Sequence, residues 1–254
     1  MGRREPPVAD VLLAARGVSV RFGGLIAVDG VDLEVSEREL IGIIGPNGAG
    51  KTTLFHALSG LVRPTAGRLS VRGRDLTGRP PHAFAVHGIA RTFQTPRVFR
   101  EMTAEANVRF GLEFAGRRRQ HPHDAFDDAR SILAFLGLAG VAGVPAGALT
   151  PARQRLLEIG MAFGARPDVL LLDEVAAGLT DRELQTTAEL IRRVRDELGV
   201  AVVWIEHAVR ALMGVVERVL VLHQGRKIAD GSPAVVARDP AVIEAYLGGE
   251  GAPA

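Results

Sequence analysis

A glycine-rich loop that ends in a lysine and two hydroxyl side chains has the composition of a phosphate-binding site. It spans residues 45–53 and follows the apolar run 40–44, where a buried strand would lead into a helix. Glycines let backbone N–H groups turn inward, and a helix N-terminus attracts anions, so both suit phosphate oxygens. Because strand, loop, lysine and hydroxyl fall in register, we favour a nucleoside triphosphate site over an ordinary turn. The residues predicted to contact nucleotide here are Asn47, Gly48, Gly50, Lys51, Thr52 and Thr53.

Two acidic residues end a second apolar run and could carry out hydrolysis. Asp173 and Glu174 follow residues 169–172, so they are predicted to lie at the sheet edge that holds the phosphate loop. The first carboxylate, with the hydroxyl of Thr52, could hold a nucleotide-bound magnesium ion, and the second could polarise the attacking water. An Asp-Glu pair after a strand is unremarkable alone and gains its weight from the upstream loop. We therefore predict Asp173 as a magnesium ligand and Glu174 as the catalytic carboxylate.

Three further side chains follow extended runs. His207 comes after the buried run 201–205 and could contact the terminal phosphate or the attacking water; the alternative is a structural histidine. Gln94 ends a short extended run and could reach magnesium or water. Phe22, before a Gly-Gly pair, could either stack on a nucleotide base or pack in the core, and spacing alone leaves both possibilities open.

Hydrophobic patterning predicts an α/β fold with two kinds of strand. Residues 18–22 and 31–35 alternate apolar and polar side chains, as half-exposed antiparallel strands do. Continuous apolar runs predict parallel strands buried on both faces at residues 40–44, 169–172, 201–205 and 219–222. Helices are predicted at 52–59, 153–163 and 182–198, the last bounded by Thr180-Asp181 and Gly199. The pattern indicates a phosphate-loop α/β sandwich with a small antiparallel layer.

The middle of the chain is predicted to be a helical insert. From about residue 88 to 166 strand signals are few, and residues 102–115 and 124–137 carry helical signals. The uncharged stretch 131–152 is long enough to cross a bilayer, but its glycines and Pro145 disfavour a continuous helix. We predict one domain over residues 1–254, with its core at 16–87 and 167–230 and a C-terminal helical extension at 231–248.

Composition excludes several functions. The 254 residues carry 31 basic and 29 acidic side chains, a formal net charge of +2, so charge does not predict a nucleic-acid partner. The chain has no cysteine, which excludes disulfides, thiolate metal sites and thiol nucleophiles. Residues 1–15 are too interrupted by charge and proline for a secretory signal. We therefore expect an intracellular protein that meets a membrane only through a partner.

In order and type, these motifs resemble the nucleotide-binding subunits of ABC transporters over essentially the whole chain. The family's phosphate loop, glutamine loop, signature region, Asp-Glu pair and switch histidine match positions 45, 94, 149, 173–174 and 207. Within that family, four stretches are similar to the ATP-binding subunit of branched-chain amino acid importers: residues 21–29, 90–94, 176–179 and 231–248. The resemblance favours base stacking by Phe22 and adds Val28 as a nucleotide contact.

The resemblance also implies cofactors, partners and a location. A subunit of this family binds ATP and Mg²⁺, here with Thr52, Gln94 and Asp173 around the metal and with Glu174, His207 and Gln94 as catalytic residues. It would dimerise with a second ATPase subunit and dock through residues 88–166 on transmembrane permease subunits, at the cytoplasmic side of the inner membrane. A substrate-binding protein would take part indirectly. The expected activity is import of branched-chain or related amino acids; the alternatives are a non-transport ATPase switch and a weakly active regulatory subunit.

The signature region departs from the family pattern. The family has a Leu-Ser-x-Gly-Gln type segment, whereas residues 149–153 are Leu-Thr-Pro-Ala-Arg. Thr150 can still cap a helix and Pro151 suits its first position, so a helix N-terminus is predicted to persist. Pro151 has no N–H, Ala152 adds a methyl group where glycine permits close approach, and Arg153 brings a charge. Because one subunit's signature closes over the other's ATP in this family, we expect a heterodimer with unequal sites; the alternative is that Arg153 itself contacts phosphate.

Overall fold

The computed structural model describes residues 11–114, 126, 128–176, 178–206 and 209–247, which form two β-sheets with helices packed around them. The strands are β1 (Val11–Phe22), β2 (Leu25–Ser36), β3 (Leu40–Ile44), β4 (Ala66–Val71), β5 (Arg74–Asp75), β6 (Ile89–Arg91), β7 (Val169–Asp173), β8 (Ala201–Ile205), β9 (Arg218–His223) and β10 (Arg226–Gly231). The α-helices are α1 (Lys51–Leu58), α2 (Pro81–Val86), α3 (Ala104–Phe114), α4 (Ala129–Phe135), α5 (Pro151–Gly164), α6 (Asp181–Leu198), α7 (Val209–Met213), α8 (Pro233–Val236) and α9 (Pro240–Leu247).

A six-stranded sheet forms the centre of the fold, in the order β10-β9-β3-β8-β7-β6. The strands from β9 to β6 in this order pair in parallel, and β10 is antiparallel to β9 at one edge. Every residue of β3, β7 and β8 is buried, as their continuous apolar runs predict. Leu40 and Ile44 pack in the core on one face of the sheet, and Ile41 and Ile43 in the core on the other. The carboxyl ends of these strands therefore meet at one edge.

A four-stranded antiparallel sheet, in the order β2-β1-β4-β5, shares one of these two cores. The sequence predicts only residues 18–22 and 31–35 as strands here, but β1 and β2 each extend over 12 residues. Register shifts follow Ala15 and Val18, and Gly17 and Gly30 have φ of 58° and 64°. Such bulges break the alternation of buried and exposed side chains, so a period-two pattern is visible only between them.

Helices α3, α4 and α5 all lie in the segment predicted as an insert. At its start, Ile89 and Arg91 of β6 pair with β7 in the central sheet, and the bounds of about 88–166 for the insert stay a prediction. A strand of three residues is too short to show a period. α3 packs closely on α5, where a Cβ on Gly111 would lie 2.3 Å from the carbonyl oxygen of Met161. This close packing makes the insert a compact helical layer beside the sheet.

The uncharged stretch is broken as predicted. α4 ends at Phe135, and short 3₁₀ turns follow at Ala139–Val141 and Ala146–Ala148. Within the described residues, no helix combines the length and apolar character that crossing a membrane requires. Beyond β10, α8 and α9 occupy the C-terminal helical extension.

α6 begins and ends where its sequence signals predict. The Thr180 hydroxyl accepts a hydrogen bond from the N–H of Glu183 at 3.3 Å, and the Glu183 carboxylate accepts one from the N–H of Thr180 at 2.9 Å. This capping box starts the helix, and Gly199 ends it with φ of 65°. Ile191 and Val194 on its buried face pack in the core against the central sheet. α6 thereby supports the strands that carry the site.

Candidate functional site

The phosphate loop connects β3 to α1 at the carboxyl edge of the central sheet. Its glycines have positive φ values of 153° at Gly45, 76° at Gly48 and 97° at Gly50. A Cβ on Gly45 would lie 2.1 Å from the carbonyl oxygen of Leu222, and one on Gly50 would lie 2.3 Å from that of Ala27. A Cβ on Gly48 would meet no protein atom within 4 Å, so the loop faces open space there. Glycine is required where the loop packs on the sheet, and the loop is open where an anion would approach its backbone.

Lys51, the first residue of α1, folds back over this loop. Its Nζ donates hydrogen bonds to the carbonyl oxygens of Gly45 at 2.6 Å and Pro46 at 3.1 Å, and the residue is 6% exposed. Burial lowers the pKa of Lys51, and the negative charge of Glu174 acts in the opposite direction. The ammonium group thus lies at the mouth of the loop, within the electrostatic reach of a carboxylate. Other predicted phosphate contacts remain at least partly accessible: Asn47, Gly48, Gly50, Thr52 and Thr53.

Asp173 and Glu174 follow one another at the carboxyl end of β7, and both are buried. The Nε2 of Gln94 donates a hydrogen bond of 2.7 Å to Oε2 of Glu174, so these two predicted catalytic residues are in direct contact. Glu174 has φ of 48°, a left-handed conformation that is unfavourable for a residue with a Cβ. Its N–H donates a hydrogen bond of 3.0 Å to the carbonyl oxygen of Ile205 on β8. The structure therefore brings Gln94, Glu174 and Lys51 together.

Three predicted site residues lie outside the phosphate loop and the end of β7: His207, Phe22 and Val28. His207 lies outside the described residues; β8, which precedes it, ends at Ile205 opposite Asp173. Phe22 is 52% exposed at the end of β1, which excludes the core-packing alternative. Val28 is fully buried, because it pairs with Val20 on the inward face of the antiparallel sheet. The contact of Val28 with a nucleotide stays a prediction.

The signature residues form the start of α5. Thr150 is the N-cap, and its hydroxyl accepts a hydrogen bond of 3.4 Å from the N–H of Arg153. Pro151 occupies the first helical position, as predicted. Pro151 and Arg153 are exposed and Ala152 is half-buried. The capped helix N-terminus that the sequence predicts is present and open to solvent, with Arg153 on it.

Sequence reasoning missed Arg91, the last residue of β6. Its guanidinium lies 3.2 Å from Oδ2 of Asp173 and donates a hydrogen bond of 2.8 Å to the hydroxyl of Ser59. Burial lowers the pKa of Arg91, and the charge of Asp173 opposes this. Arg91 therefore orients the predicted magnesium ligand and ties it to the end of α1. An arginine at the end of a three-residue strand carries no sequence pattern that could have identified it.

The chain that follows Glu174 is anchored from two sides. Arg155 of α5 donates a hydrogen bond of 3.3 Å to the carbonyl oxygen of Val175, and the N–H of Ala176 donates one of 2.6 Å to Oε1 of Glu206. Glu206 is 2% exposed, and a carboxylate buried to this degree is costly when it lacks hydrogen bonds. These contacts fix the backbone that presents the predicted catalytic carboxylate.

Glu158 is another buried carboxylate that the sequence did not single out. It lies in α5 with 5% exposure and accepts hydrogen bonds from the N–H of Phe93 at 3.3 Å and of Arg97 at 2.9 Å. Burial raises the pKa of Glu158 to about 7, although these hydrogen bonds and the charges of Arg91 and Arg97 act in the opposite direction. A glutamate within the apolar stretch of α5 is a sequence signal by which this residue could have been identified.

We predict that Glu158 makes the free energy of unfolding fall as the pH rises from about 4.5 to about 7. In this range the folded protein retains a proton that the unfolded chain has released, so stability decreases with increasing pH. The expected decrease is about 3 kcal/mol at most. Urea unfolding of wild type and Glu158→Gln across this range measures it, and the comparison cancels the contribution of His56, whose pKa is lowered by burial. A difference between the two proteins that does not change with pH contradicts the prediction.

The chain matches two family models. One, described as ABC transporter, covers residues 28–177, and the other, described as branched-chain amino acid ATP-binding cassette transporter, covers residues 226–252. The high-affinity branched-chain amino acid transport ATP-binding protein BraF of Pseudomonas aeruginosa is 39% identical over 249 residues, which cover 93% of this chain and 98% of BraF. The corresponding protein LivG of Salmonella typhimurium is 42% identical over 252 residues, with the same coverage.

A solved structure with the same fold is the ADP conformation of MJ1267, an ATP-binding cassette of an ABC transporter. It superposes with a TM-score of 0.81 and 28% identity over 94% of this chain and 99% of that one. The predicted fold class, an α/β phosphate-loop NTPase sandwich with an antiparallel subdomain and a helical subdomain, is confirmed.

Fold and site together define an ATPase of the phosphate-loop class. The chain belongs to the ABC transporter family, as one of its ATP-binding subunits.

Proposed function

We propose that this chain is the ATP-hydrolysing subunit of an importer for branched-chain or related amino acids. The support is its similarity to BraF and LivG over 93% of its length, together with the match of residues 226–252 to the branched-chain family. The observation that carries the ATPase part is the contact between Gln94 and Glu174 beside Lys51. In this proposal the protein lies at the cytoplasmic side of the inner membrane, bound to transmembrane permease subunits. It works beside a second ATPase subunit and receives substrate indirectly through a substrate-binding protein, without nucleic acid.

The site residues fit a magnesium-bound ATP. The loop N–H groups and Lys51 would bind phosphate oxygens, and the open space at Gly48 leaves room for them. The hydroxyl of Thr52, the carboxylate of Asp173 and the amide oxygen of Gln94 are the hard oxygen donors that Mg²⁺ prefers. When bound, the ion neutralises charge on the phosphates. Phe22, exposed beside the Gly-Gly turn, would stack on the base.

In the proposed reaction Glu174 takes up the proton of the attacking water, while Lys51 stabilises charge on the phosphates. Gln94 holds the carboxylate through their hydrogen bond of 2.7 Å. His207 would contact the terminal phosphate or the attacking water. Closure of two subunits around ATP supplies free energy for the change in the permease, and hydrolysis resets it.

An uptake assay tests the proposal. The chain is reconstituted in proteoliposomes with the permease subunits, second ATPase and binding protein of its transporter, and uptake of labelled leucine, isoleucine and valine is measured. We expect uptake that requires internal ATP and is lost in Lys51→Ala. Hydrolysis of ATP without uptake of any of the three would contradict the substrate class. Absence of ATP hydrolysis would contradict the enzymatic activity itself.

We predict that residues 95–105, at the start of the insert, contact the permease. Phe99 in this segment is 41% exposed, and an apolar side chain at this point is available to a partner. Because the chain has no cysteine, single cysteines can be introduced at Phe99 and Glu101, with Val235 on α8, 65% exposed, as the control position. Cross-links to the permease are expected from the first two positions. Cross-links that form only from the C-terminal position would refute the docking surface.

A weakly active regulatory subunit is the second candidate function. It is favoured by the exposed side chains of Pro151 and Arg153 at the N-terminus of α5, where the family pattern has residues that permit close approach to phosphate. In the assembled transporter, ATP binding without turnover at either site of the ATPase pair would identify this function.

A further inference from the structure

Glu158 connects the segment around Gln94 to helix α5, which carries the signature residues. In the proposed function, Gln94 serves the nucleotide bound by this chain, and the signature residues serve the nucleotide bound by the second subunit. The Glu158 carboxylate accepts hydrogen bonds from the N–H groups of Phe93 and Arg97, on either side of Gln94 in the sequence. Glu158 itself lies on α5, the helix that Thr150 caps. About 10 Å of continuous helix separates it from the signature end of α5. A single side chain therefore connects the glutamine segment, residues 93–97, to the helix that carries the signature.

The surroundings of Glu158 hold the glutamine segment firmly. The Phe93 ring is contacted by the guanidinium groups of Arg91 and Arg97, each 4.6 Å from the ring centroid. Both cations favour the charged form of Glu158, and Arg91 also pairs with Asp173. Because both hydrogen bonds of Glu158 come from backbone N–H groups, the carboxylate follows the main chain of the segment and not one of its side chains. The segment is thereby tied to α5 on one side and to the sheet edge on the other.

We propose that Glu158 is a positioning residue that transmits nucleotide binding at the Lys51 site to the signature end of α5. The inference rests on the proposed function, in which Gln94 reaches the nucleotide's magnesium and the signature faces ATP on a second subunit. A movement of residues 93–97 toward bound nucleotide pulls on the carboxylate, and the rigid helix carries that displacement to residues 150–154. Glu158 touches neither nucleotide and acts through the segments that do.

Amide hydrogen exchange of the full chain, with and without ATP and Mg²⁺, tests this transmission. Glu158→Gln keeps the size of the side chain but replaces one acceptor oxygen by an NH₂ group, which cannot accept the second backbone N–H. Glu197→Gln is the matched control, because Glu197 is an exposed carboxylate on α6 that pairs with Arg193. Calorimetry measures the ATP affinity of each protein separately.

We expect ATP to slow exchange at residues 93–97 and at residues 150–154 in the wild type and in Glu197→Gln. In Glu158→Gln the response at 93–97 remains, the response at 150–154 falls at least about threefold, and ATP affinity changes less than about twofold. An undiminished response at 150–154 in Glu158→Gln overturns the proposal. The proposal is also overturned if ATP slows exchange at residues 93–97 of the wild type but not at residues 150–154. Failure of the proposed function is distinguishable, because calorimetry would then detect no ATP binding.

Thermal unfolding shows whether Glu158→Gln folds. If it does not, a second variant, Glu158→Asp, tests the same proposal. Glu158→Asp retains the carboxylate and withdraws it by one methylene group from both N–H groups. The response at residues 150–154 is then expected to fall at least about twofold, with that at 93–97 retained. A response equal to that of the wild type at both segments overturns the proposal.

Discussion

Replacing Glu174 with glutamine is expected to lower the turnover number for ATP hydrolysis at least about a hundredfold, because a positioned general base contributes roughly 10²–10⁴-fold. The variant keeps the shape of the side chain and an oxygen that can accept the hydrogen bond from Gln94, which is 2.7 Å long in the wild type. It loses the negative charge that takes up the proton of water. ATP affinity is expected to stay within a few-fold, since the phosphates are bound by the loop and Lys51.

Steady-state phosphate release and equilibrium ATP binding, both in the assembled transporter, measure this effect. Glu197→Gln provides the control, because it removes a carboxylate of similar type from the exposed face of α6. The left-handed conformation of Glu174 depends on its backbone and not on its charge, so the variant is expected to fold. A turnover number equal to that of the wild type would show that Glu174 is not the catalytic carboxylate.

Replacing Lys51 with alanine is expected to remove most ATP hydrolysis by the transporter, and the equivalent substitution in the partner ATPase much less. In the proposed pair, the signature of this chain closes over the partner's ATP. Pro151 supplies no N–H there, and Ala152 and Arg153 replace residues that permit close approach to phosphate. Losing one or two good phosphate contacts in the transition state costs on the order of 3 kcal/mol, which slows that site about a hundredfold.

ATPase rates of the two lysine variants in the reconstituted transporter test whether the two sites are unequal. Thermal unfolding of Lys51→Ala is the necessary control, because Lys51 is buried and donates hydrogen bonds to Gly45 and Pro46. A greater loss from the partner's lysine would refute the proposed asymmetry, as would high activity of this chain alone as a homodimer. Equal loss from both substitutions would leave the asymmetry unproven, because coupled sites can fail together.

Local features of the site and the fold could be predicted from the sequence. The phosphate loop is defined by neighbouring residues, since glycine, lysine and hydroxyl types must follow one another at fixed spacing after a strand. The same holds for the capping box that begins α6 at Thr180 and for the helix N-terminus at Thr150. Continuous apolar runs also predicted β3, β7, β8 and β9, because burial on both faces leaves a signal within each strand. These features depend on interactions within a few residues.

Only the tertiary structure determined which distant side chains meet. Arg91 contacts Asp173, 82 residues away, and Glu158 accepts hydrogen bonds from the segment around Gln94 more than 60 residues earlier. The burial of Val28 likewise depends on its register against β1, where bulges shift the pairing of strands. A single sequence has no periodicity that relates such pairs, since they are set by strand order and helix packing. The residues that could hydrolyse ATP are therefore visible in the sequence, whereas the contacts that orient and connect them arise only when the sheet and the helical layer pack together.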